Sequence, residues 1–224
     1  MIDKARILCC SAPHASAWTK ALPTSSNKFS NLEWVIAMKR WLGIPIFNKE
    51  HICVACHNQI MDIHGHHAAV CPVSGDRIKR HNALRDCFYD FCLNAAWGPI
   101  KEKPFLLPYS SERPADIFIP NYVRQASQTL AFACNHYAQV HKYDVYQDRV
   151  ISEGHSYLPF VFESFGGTSG DSHEFTKKLI SSISTRLSEP KSVVAISFYE
   201  KISCILMRSV AKSLISRFPE FSLA

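Results

Sequence analysis

Apolar residues recur along this chain with two different spacings, and the spacing separates helical from strand-forming stretches. Apolar positions three or four residues apart predict helices at 30–42, 77–97, 135–150, 171–188 and 192–217. Short apolar runs bounded by proline, serine or charged residues predict strands at 101–108, 115–120, 129–134 and 157–165. This order predicts an α/β (α+β) fold in which a helical module precedes a small mixed sheet and C-terminal helices.

The helix at 30–42 carries the clearest local signals. Ser30 and Glu33 have the S-x-x-E spacing of a capping box, and Gly43 marks the end of the helix. Residues 1–28 lack a clean periodicity and predict an irregular lead-in. The chain is therefore predicted to form a helical and metal-binding module over residues 1–75 and an α/β domain over residues 76–224.

Cysteine and histidine residues concentrate between positions 53 and 71, where they follow the pattern C-x2-C-x10-H-x3-C. A C-x2-C turn brings two thiolates to one side of a small cation, and a His/Cys pair completes the tetrahedron that zinc prefers. The spacing predicts a structural zinc ion held by Cys53, Cys56, His67 and Cys71, with His66 as the alternative histidine ligand. Four protein ligands close such a site, so the metal is expected to stabilise the fold rather than to catalyse.

The number and positions of the cysteines indicate the cellular compartment in which the protein is found. The total of nine is odd, and several, such as Cys92 and Cys204, occupy apolar helical positions. This distribution favours a reducing compartment over a disulfide framework. The N-terminal apolar run is too short for a secretory signal, and the most apolar segment, 192–216, is interrupted by charges. An intracellular protein without a membrane partner is expected.

The predicted helix that follows the cysteine cluster is basic in its first half. Its basic residues are Arg77, Lys79, Arg80, His81 and Arg85, and the whole chain has a net charge of +6. Such a group of cations suits contacts with phosphates that carry little sequence preference, although an ordinary solvated helix face is the alternative. A structural zinc site followed directly by a basic helix favours nucleic acid as the partner.

An acidic residue, Asp116, lies at the start of the predicted strand 115–120, directly after Pro114 and Ala115. Metal-dependent cleavage of phosphodiesters needs carboxylates that hold Mg²⁺ or Mn²⁺ against the phosphate, often with a lysine that helps to activate water. Asp116 fits the first part of such an arrangement. Aspartate is also a common residue at the entry to a strand, so its position alone does not decide its role.

Six segments of this chain, taken in order, resemble a known family. They are SAPHASAWTKALP, RWLGIPIF, the C-x2-C…GHHAAVC cluster, GDRIKRHNALRD, RPADIFIP and FESFGG. Together they resemble the C-terminal region of reverse-transcriptase polyproteins from non-LTR retrotransposons that carry a restriction-like endonuclease. The resemblance covers nearly the whole chain, and it implies a zinc motif followed by a nuclease domain of the PD-(D/E)XK fold. It also implies a longer parent protein with an upstream reverse-transcriptase domain.

The resemblance gives roles to residues that match the family pattern. Asp116 corresponds to the first catalytic acid, Lys142 with Tyr143 resembles a Lys-Tyr pair on the helix after the catalytic strand, and Glu163 lies in a later strand. Asp116 is then expected to hold Mg or Mn with the help of Glu163 or Asp144, and Lys142 to orient water or the scissile phosphate. The resemblance favours DNA over RNA as the target, and a nuclear over a cytoplasmic location.

The chain departs from the family pattern after Phe132. The family continues its strand into a segment that supplies the second metal-binding acid, whereas here residues 133–136 lead directly into a predicted helix. The loss amounts to about 20 residues or more, enough to remove a strand and its connection, so cleavage is expected to be impaired. The chain also lacks the Tyr-x-Asp-Asp signature of a polymerase. The alternatives are a non-catalytic zinc module that binds DNA or RNA, and a translated transposon remnant without function.

Overall fold

The computed structural model of the chain describes residues 2–107, 110, 112, 114–120, 142–162 and 170–218. These residues form two compact units. Unit 1 comprises residues 2–84 and 199–218, and unit 2 comprises the described residues between 85 and 198. The predicted domain boundary between residues 75 and 76 therefore falls inside unit 1.

Unit 1 combines helices with one small β-hairpin. Its elements are α1 (Ile2–Cys10), a 3-10 helix (Ala17–Thr19), α2 (Asn31–Leu42), β1 (His51–Ile52), β2 (Ile60–Met61), α3 (His66–Val70), the start of α4 (Asp76–Asn94) and the end of α7 (Lys191–Ile215). The described part of unit 2 contains the rest of α4 and α7, together with β3 (Ile100–Lys101), β4 (Ile117–Phe118), α5 (Asp144–Ser152) and α6 (Gly170–Leu187). The N-terminal lead-in thus contains a helix, α1, that its sequence pattern did not predict.

The capping box predicted at the start of α2 is confirmed. The backbone N–H of Ser30 donates to the Glu33 carboxylate at 2.8 Å, and the backbone N–H of Glu33 donates to Ser30 Oγ at 3.2 Å. These two bonds satisfy N–H groups that a helix start leaves without partners inside the helix. Gly43 ends the helix with a φ of 72°, a left-handed conformation that glycine adopts without steric cost.

The C-terminal helix α7 supplies one side of the core of unit 1. Cys204, Met207, Val210 and Leu214 recur on it at helical spacing, and each is at most 2% exposed. The other buried members of this core are Trp18, Ile36, Ala37, Phe47, Cys53, Met61, Ala68, Ala69, Cys71 and Ala211. Burial of a large apolar side chain contributes about 1.5–3 kcal/mol to stability. This core packs α7 against α2, the hairpin and α3, and it includes two of the predicted metal ligands.

The β-structure among the described residues is smaller than predicted. It consists of two separate antiparallel pairs, β1 with β2 and β3 with β4. In the second pair, Ile100 is opposite Phe118 and Lys101 is opposite Ile117. Of the predicted strand 101–108, only Lys101 is in a strand among the described residues, and the predicted strand 115–120 is reduced to Ile117 and Phe118. Glu102 has a φ of 44°, and Pro104 cannot donate a ladder hydrogen bond. The chain therefore leaves the extended conformation directly after Lys101.

The fourth predicted strand, 157–165, is described only as far as residue 162. Residues 157–162 contain a single bridge residue, Phe162, while residues 163–165 and the prediction for 129–134 lie outside the described residues. Pro159 interrupts this stretch and removes a backbone donor. The mixture of helices with small antiparallel sheets confirms the α+β class in general terms. A mixed central sheet of the restriction-endonuclease type stays a prediction.

The long helices lie close to where the sequence pattern placed them. The predicted helix 77–97 becomes α4, which ends at Asn94 because Ala96 and Gly98 adopt positive φ angles of 59° and 58°. The predictions at 171–188 and 192–217 correspond to α6 and α7. The described part of the prediction at 135–150 contains α5, whereas residues 135–141 lie outside the described chain.

No helix in the described ranges has both the length and the apolar character that a bilayer crossing requires. The longest of them, α7, carries Glu200, Lys201, Arg208 and Lys212 within its apolar pattern.

Candidate metal centre

The four predicted metal ligands lie together in unit 1. The sulfur atoms of Cys53, Cys56 and Cys71 and a ring nitrogen of His67 all lie within 4.8 Å of one another. Ligands arranged tetrahedrally around zinc at about 2.3 Å are separated by about 3.7 Å, so small adjustments suffice to close the group on an ion. In the part of the chain that the structure describes, these residues form the one group of three or more His, Cys, Asp or Glu side chains with such a spacing.

The first two ligands lie at the tip of the hairpin formed by β1 and β2. The backbone N–H of Cys53 donates to the carbonyl of Gln59 at 2.9 Å, and the N–H of His57 donates to the carbonyl of Cys53 at 2.8 Å. Hydrogen bonds from the backbone N–H groups of Asn58 and Gln59 lower the pKa of Cys56 to about 6. Thiolate is the form of cysteine that binds metals, so this turn prepares Cys56 as a ligand near neutral pH.

The other two ligands come from the short helix α3. His67 and the C-capping residue Cys71 are four positions apart, which places both on the same face of the helix. The backbone N–H of Cys71 donates to the carbonyl of His67 at 2.8 Å. Between the two halves of the site, Cys56 Sγ lies 3.3 Å from His67 Nε2. The hairpin and α3 therefore bring their four ligand atoms into one compact group.

The structure places His67, and not His66, in the metal group. Nδ1 of His66 lies 2.8 Å from Oδ1 of Asp62, and the backbone N–H of His66 donates to Oδ2 of the same carboxylate at 3.0 Å. Asp62 also accepts a hydrogen bond from the backbone N–H of His64 at 2.9 Å. The imidazole of His66 thus contacts a carboxylate that organises the start of α3, while His67 is left to face the cysteines.

A buried arginine, Arg217, lies next to the metal group. Its side chain is 0% exposed, and it donates to Asp76 Oδ2 at 2.5 Å, to Ser74 Oγ at 2.8 Å and to the carbonyl of Val73 at 3.1 Å. Burial alone would lower the pKa of Arg217, but hydrogen bonds to Asp76 and Cys71 outweigh burial and raise it. The guanidinium therefore joins the C-terminal end of unit 1 to the residues that follow Cys71.

The sequence pattern did not single out Arg217 or Asp62. Arg217 follows an apolar helix by two residues, where a cation is ordinarily solvated. Asp62 precedes the histidine cluster and is separated from His66 by four residues, the one local sign of their pairing. Arg217 contacts the predicted ligand Cys71, whereas Asp62 contacts His64 and His66, which precede the ligand His67.

Glycine is required at position 65, where α3 begins. Gly65 has a φ of 70°, and a Cβ added there would lie 2.1 Å from Cδ2 of Leu214 in the core. Replacing Gly65 with alanine is therefore expected to cost about 2–4 kcal/mol, from left-handed strain together with overpacking. Urea unfolding of the two proteins measures this difference.

Gly75 provides the matched control for this substitution. It has the same φ of 70°, but a Cβ added there would have no neighbour within 4 Å. Gly75→Ala should therefore cost only the backbone strain, about 1–2 kcal/mol. Equal losses for the two variants would show that the contact between α3 and Leu214 is not as tight as described.

The basic residues of α4 divide into exposed and engaged groups. Arg77 and His81 are exposed, and the side chain of Lys79 is 76% exposed with its Nζ 3.7 Å from Asp76 Oδ1. Arg80 is half-buried, and its Nη2 donates to the carbonyl of Ala69 at 3.0 Å. Two cations, Arg77 and Lys79, thus project into solvent from the first turn of α4.

The fifth predicted phosphate contact, Arg85, is held in ion pairs. Its side chain is 15% exposed and contacts the carboxylates of Asp86, at 3.1 Å, and Glu102. Lys101 Nζ also lies 2.9 Å from Asp86, which completes a small network in unit 2. A guanidinium engaged in this way has to give up its carboxylate partners before it can bind a phosphate. Arg85 is therefore engaged by carboxylates, whereas Arg77 and Lys79 are exposed.

The predicted catalytic residues belong to unit 2. Asp116 is exposed at a bend directly before β4, and Lys142 is half-buried before α5. Glu163 lies outside the described residues. Burial raises the pKa of Tyr157, and the charges of Tyr146 and Asp116 raise it further, so Asp116 lies within electrostatic range of Tyr157. Among the described side chains, Asp116 belongs to no group of three or more potential metal ligands.

No family of proteins, no curated protein sequence and no solved structure matches this chain.

Proposed function

We propose that this chain binds nucleic acid, and that a structural zinc ion in unit 1 holds the binding surface in place. The observation that carries this proposal is the convergence of Cys53, Cys56, His67 and Cys71 immediately before the basic helix α4. Three thiolates and an imidazole in a compact group suit zinc better than the hard cations, which prefer oxygen ligands.

The position of α4 follows from the metal centre. Four residues separate Cys71 from Asp76, the first residue of α4, and Arg217 binds both Asp76 and the intervening backbone. An ion at the centre would fix Cys71 and therefore the start of the helix. Arg77 and Lys79 are then held outward on an ordered element, where Lys79 has to give up only its 3.7 Å contact with Asp76 to bind a phosphate.

A gel-shift titration of duplex DNA over a series of salt concentrations tests this proposal. Each neutralised phosphate contributes about 0.9 to the slope of log affinity against log salt. The double variant Arg77→Gln/Lys79→Gln is expected to lower that slope by about 1.8 and to weaken binding to all sequences alike.

The control for this experiment removes the same charge elsewhere in unit 1. Lys20 and Lys49 are exposed and lie outside α4, so Lys20→Gln/Lys49→Gln is expected to leave the slope nearly unchanged. An affinity that does not depend on salt in the unmodified protein would exclude phosphate contacts. Equal effects of the two double variants would point to general charge rather than to α4.

A second function, metal-dependent cleavage of DNA by unit 2, is supported by the resemblance to retrotransposon nucleases and by the exposed position of Asp116 before β4. In this proposal Asp116 and Glu163 hold Mg²⁺ or Mn²⁺, and Lys142 orients water or the scissile phosphate. The chain would then derive from a retroelement protein whose reverse-transcriptase domain lay upstream, and the missing segment after Phe132 would lower its activity.

Nicking of supercoiled plasmid DNA in the presence of Mg²⁺ or Mn²⁺ tests the cleavage proposal. We expect a slow activity in the unmodified chain that falls at least about a hundredfold in Asp116→Ala, because a metal-binding carboxylate is lost. The exposed Asp148 of α5 offers a control in the same unit, and Asp148→Ala should nick at the original rate. Equal nicking by Asp116→Ala and the unmodified protein would attribute the activity to a contaminant.

A further inference from the structure

A cavity of about 430 Å³ lies beside the start of α2 in unit 1, and aromatic rings form much of its lining. The centroids of the Trp18, Phe29 and Trp34 rings lie 5.1 to 5.7 Å apart. Phe29 and Trp34 occupy the hydrophobic-staple positions of α2, which accounts for their mutual packing. Trp18 is 1% exposed, whereas Trp34 is 39% exposed. Trp34 therefore offers ring surface to a ligand, in a cavity of the size typical of binding sites.

The polar groups of this cavity are uncharged donors and acceptors. Asn27 and Asn31 belong to its lining, and a carboxamide carries both an acceptor oxygen and two donor hydrogens. Trp18 also belongs to the lining, and its Nε1 is buried with no hydrogen-bond partner among the described residues. A ligand that combines a flat ring with polar atoms on its edge therefore suits the cavity better than a purely aliphatic one.

The charges around the cavity favour an anionic ligand. Ser30 and Asn31 stand at the N-terminal end of α2, which carries the positive end of the helix dipole. Lys28 is exposed and lies in sequence between two lining residues. Glu33, the one acidic residue of α2, is buried, accepts the N–H of Ser30 and lies 3.6 Å from Lys212 Nζ. A methylated ammonium ion, which also binds aromatic cages, would meet this positive helix end without a carboxylate in the described lining.

The walls of the cavity are ordered without a ligand. In the turn at 24–28, the backbone N–H of Lys28 donates to the carbonyl of Thr24 at 2.9 Å. Arg208 of α7 holds this turn, because its Nη1 donates to the carbonyls of Ser26 and Lys28 at 3.0 Å. The capping box fixes the start of α2, which forms another part of the wall. A preformed cavity loses little conformational freedom when a ligand binds.

We propose that this cavity binds one unstacked base of a single-stranded nucleic acid. A base offers a π-face to Trp34 and polar atoms on its edge, and the phosphate beside it suits Lys28 and the N-terminal end of α2. The choice of a nucleotide over a peptide rests on the proposed function, according to which unit 1 binds a polyanion. The site adds a preference for single strands, since a base in a duplex is stacked and paired.

Fluorescence anisotropy of a labelled oligothymidine strand tests the site on the full chain. The reference ligand is an abasic strand of the same length and charge, which retains the phosphates but has no bases. The unmodified protein should bind the thymidine strand at least about fivefold more tightly, the effect of one stacked base. Equal affinity for the two strands would overturn the proposal, and this comparison needs no variant that has to fold.

Substitutions at Trp34 locate the base preference. Trp34→Leu keeps an apolar side chain but removes the π-face, so the two strands should then bind within about twofold of each other. Trp34→Phe keeps a smaller ring and should retain part of the preference. Leu42, 55% exposed on the same helix and outside the lining, provides the control, and Leu42→Ala should keep the full preference. An unchanged preference in folded Trp34→Leu would contradict the site.

Further outcomes separate this site from the proposed function and from a peptide-binding role. Salt-dependent duplex binding that requires Arg77 and Lys79, without any preference for bases, would reject the cavity and leave the proposed function intact. A base preference that requires Trp34, in a chain whose duplex binding does not require Arg77 and Lys79, would retain the cavity and reject α4 as the binding surface. Decaproline is the peptide probe, since proline-rich segments dock in aromatic grooves. Binding of decaproline that requires Trp34, without a base preference, would assign the cavity to a peptide and overturn the proposal.

Discussion

Replacing Cys71 with serine is expected to release the metal and to unfold unit 1. Cys71 is 1% exposed, and its sulfur belongs both to the metal group and to the buried core. Structural zinc contributes about 10–16 kcal/mol of apparent binding energy in small zinc domains, which matches or exceeds the stability of an ordinary domain. Circular dichroism during thermal unfolding, together with metal analysis of the same sample, measures both effects.

Cys204→Ser is the control for this change. Cys204 is 0% exposed in the same core, but it lies outside the metal group. Its replacement places a hydroxyl among apolar side chains, which costs about 1–3 kcal/mol, and it should leave the metal content unchanged. Metal retention by Cys71→Ser, or equal metal loss from both variants, would contradict the assignment of ligands.

Replacing Arg217 with methionine is expected to destabilise unit 1 by about 3–5 kcal/mol, because it leaves the carboxylate of Asp76, whose side chain is only 14% exposed, without its guanidinium partner. The substitution keeps much of the side-chain volume and removes the donors to Asp76, Ser74 and Val73. It should also weaken zinc binding about 10–100-fold, the usual effect of removing a group that contacts a metal ligand. Urea unfolding and competition with a chelator measure the two effects separately.

Two further variants distinguish the role of this ion pair from a general loss of charge. Arg208 lies on α7 and donates from Nη1 to the carbonyls of Ser26 and Lys28 at 3.0 Å, so Arg208→Met should cost about 1 kcal/mol or less. In the double variant Asp76→Asn/Arg217→Met the buried charge is absent, and part of the stability should return. A single-variant loss as small as that of Arg208→Met would show that Arg217 is not coupled to the centre.

The features that the sequence predicted well depend on contacts between neighbouring residues. The capping box of Ser30 and Glu33 closes within four residues, and the metal group closes within nineteen, so spacing indicates most of the side chains that meet. The long helices were predictable for the same reason, because a helical period repeats every few residues. The choice between His66 and His67 required the structure, since both lie at a suitable spacing and only the contact with Asp62 separates them.

The features that the sequence did not predict depend on residues far apart in the chain. Arg217 meets Asp76 across 141 positions, and no local pattern indicates that pair. The apolar run at 101–108 has the composition of a strand, yet the positive φ of Glu102 and the ring of Pro104 end the strand at once. Arg85 looks like its basic neighbours in sequence, whereas ion pairs with Asp86 and Glu102 hold it. Side-chain partners decided the positions of Arg217 and Arg85, whereas the local backbone conformation ended the strand.

Metal analysis of the purified full chain tests the central claim most directly. Protein prepared without added zinc, and passed through a desalting column, is measured by inductively coupled plasma mass spectrometry. One equivalent of zinc per chain is expected, retained until a strong chelator removes it and the protein unfolds. Less than about half an equivalent, with an unchanged unfolding transition after chelation, would contradict a structural metal at Cys53, Cys56, His67 and Cys71.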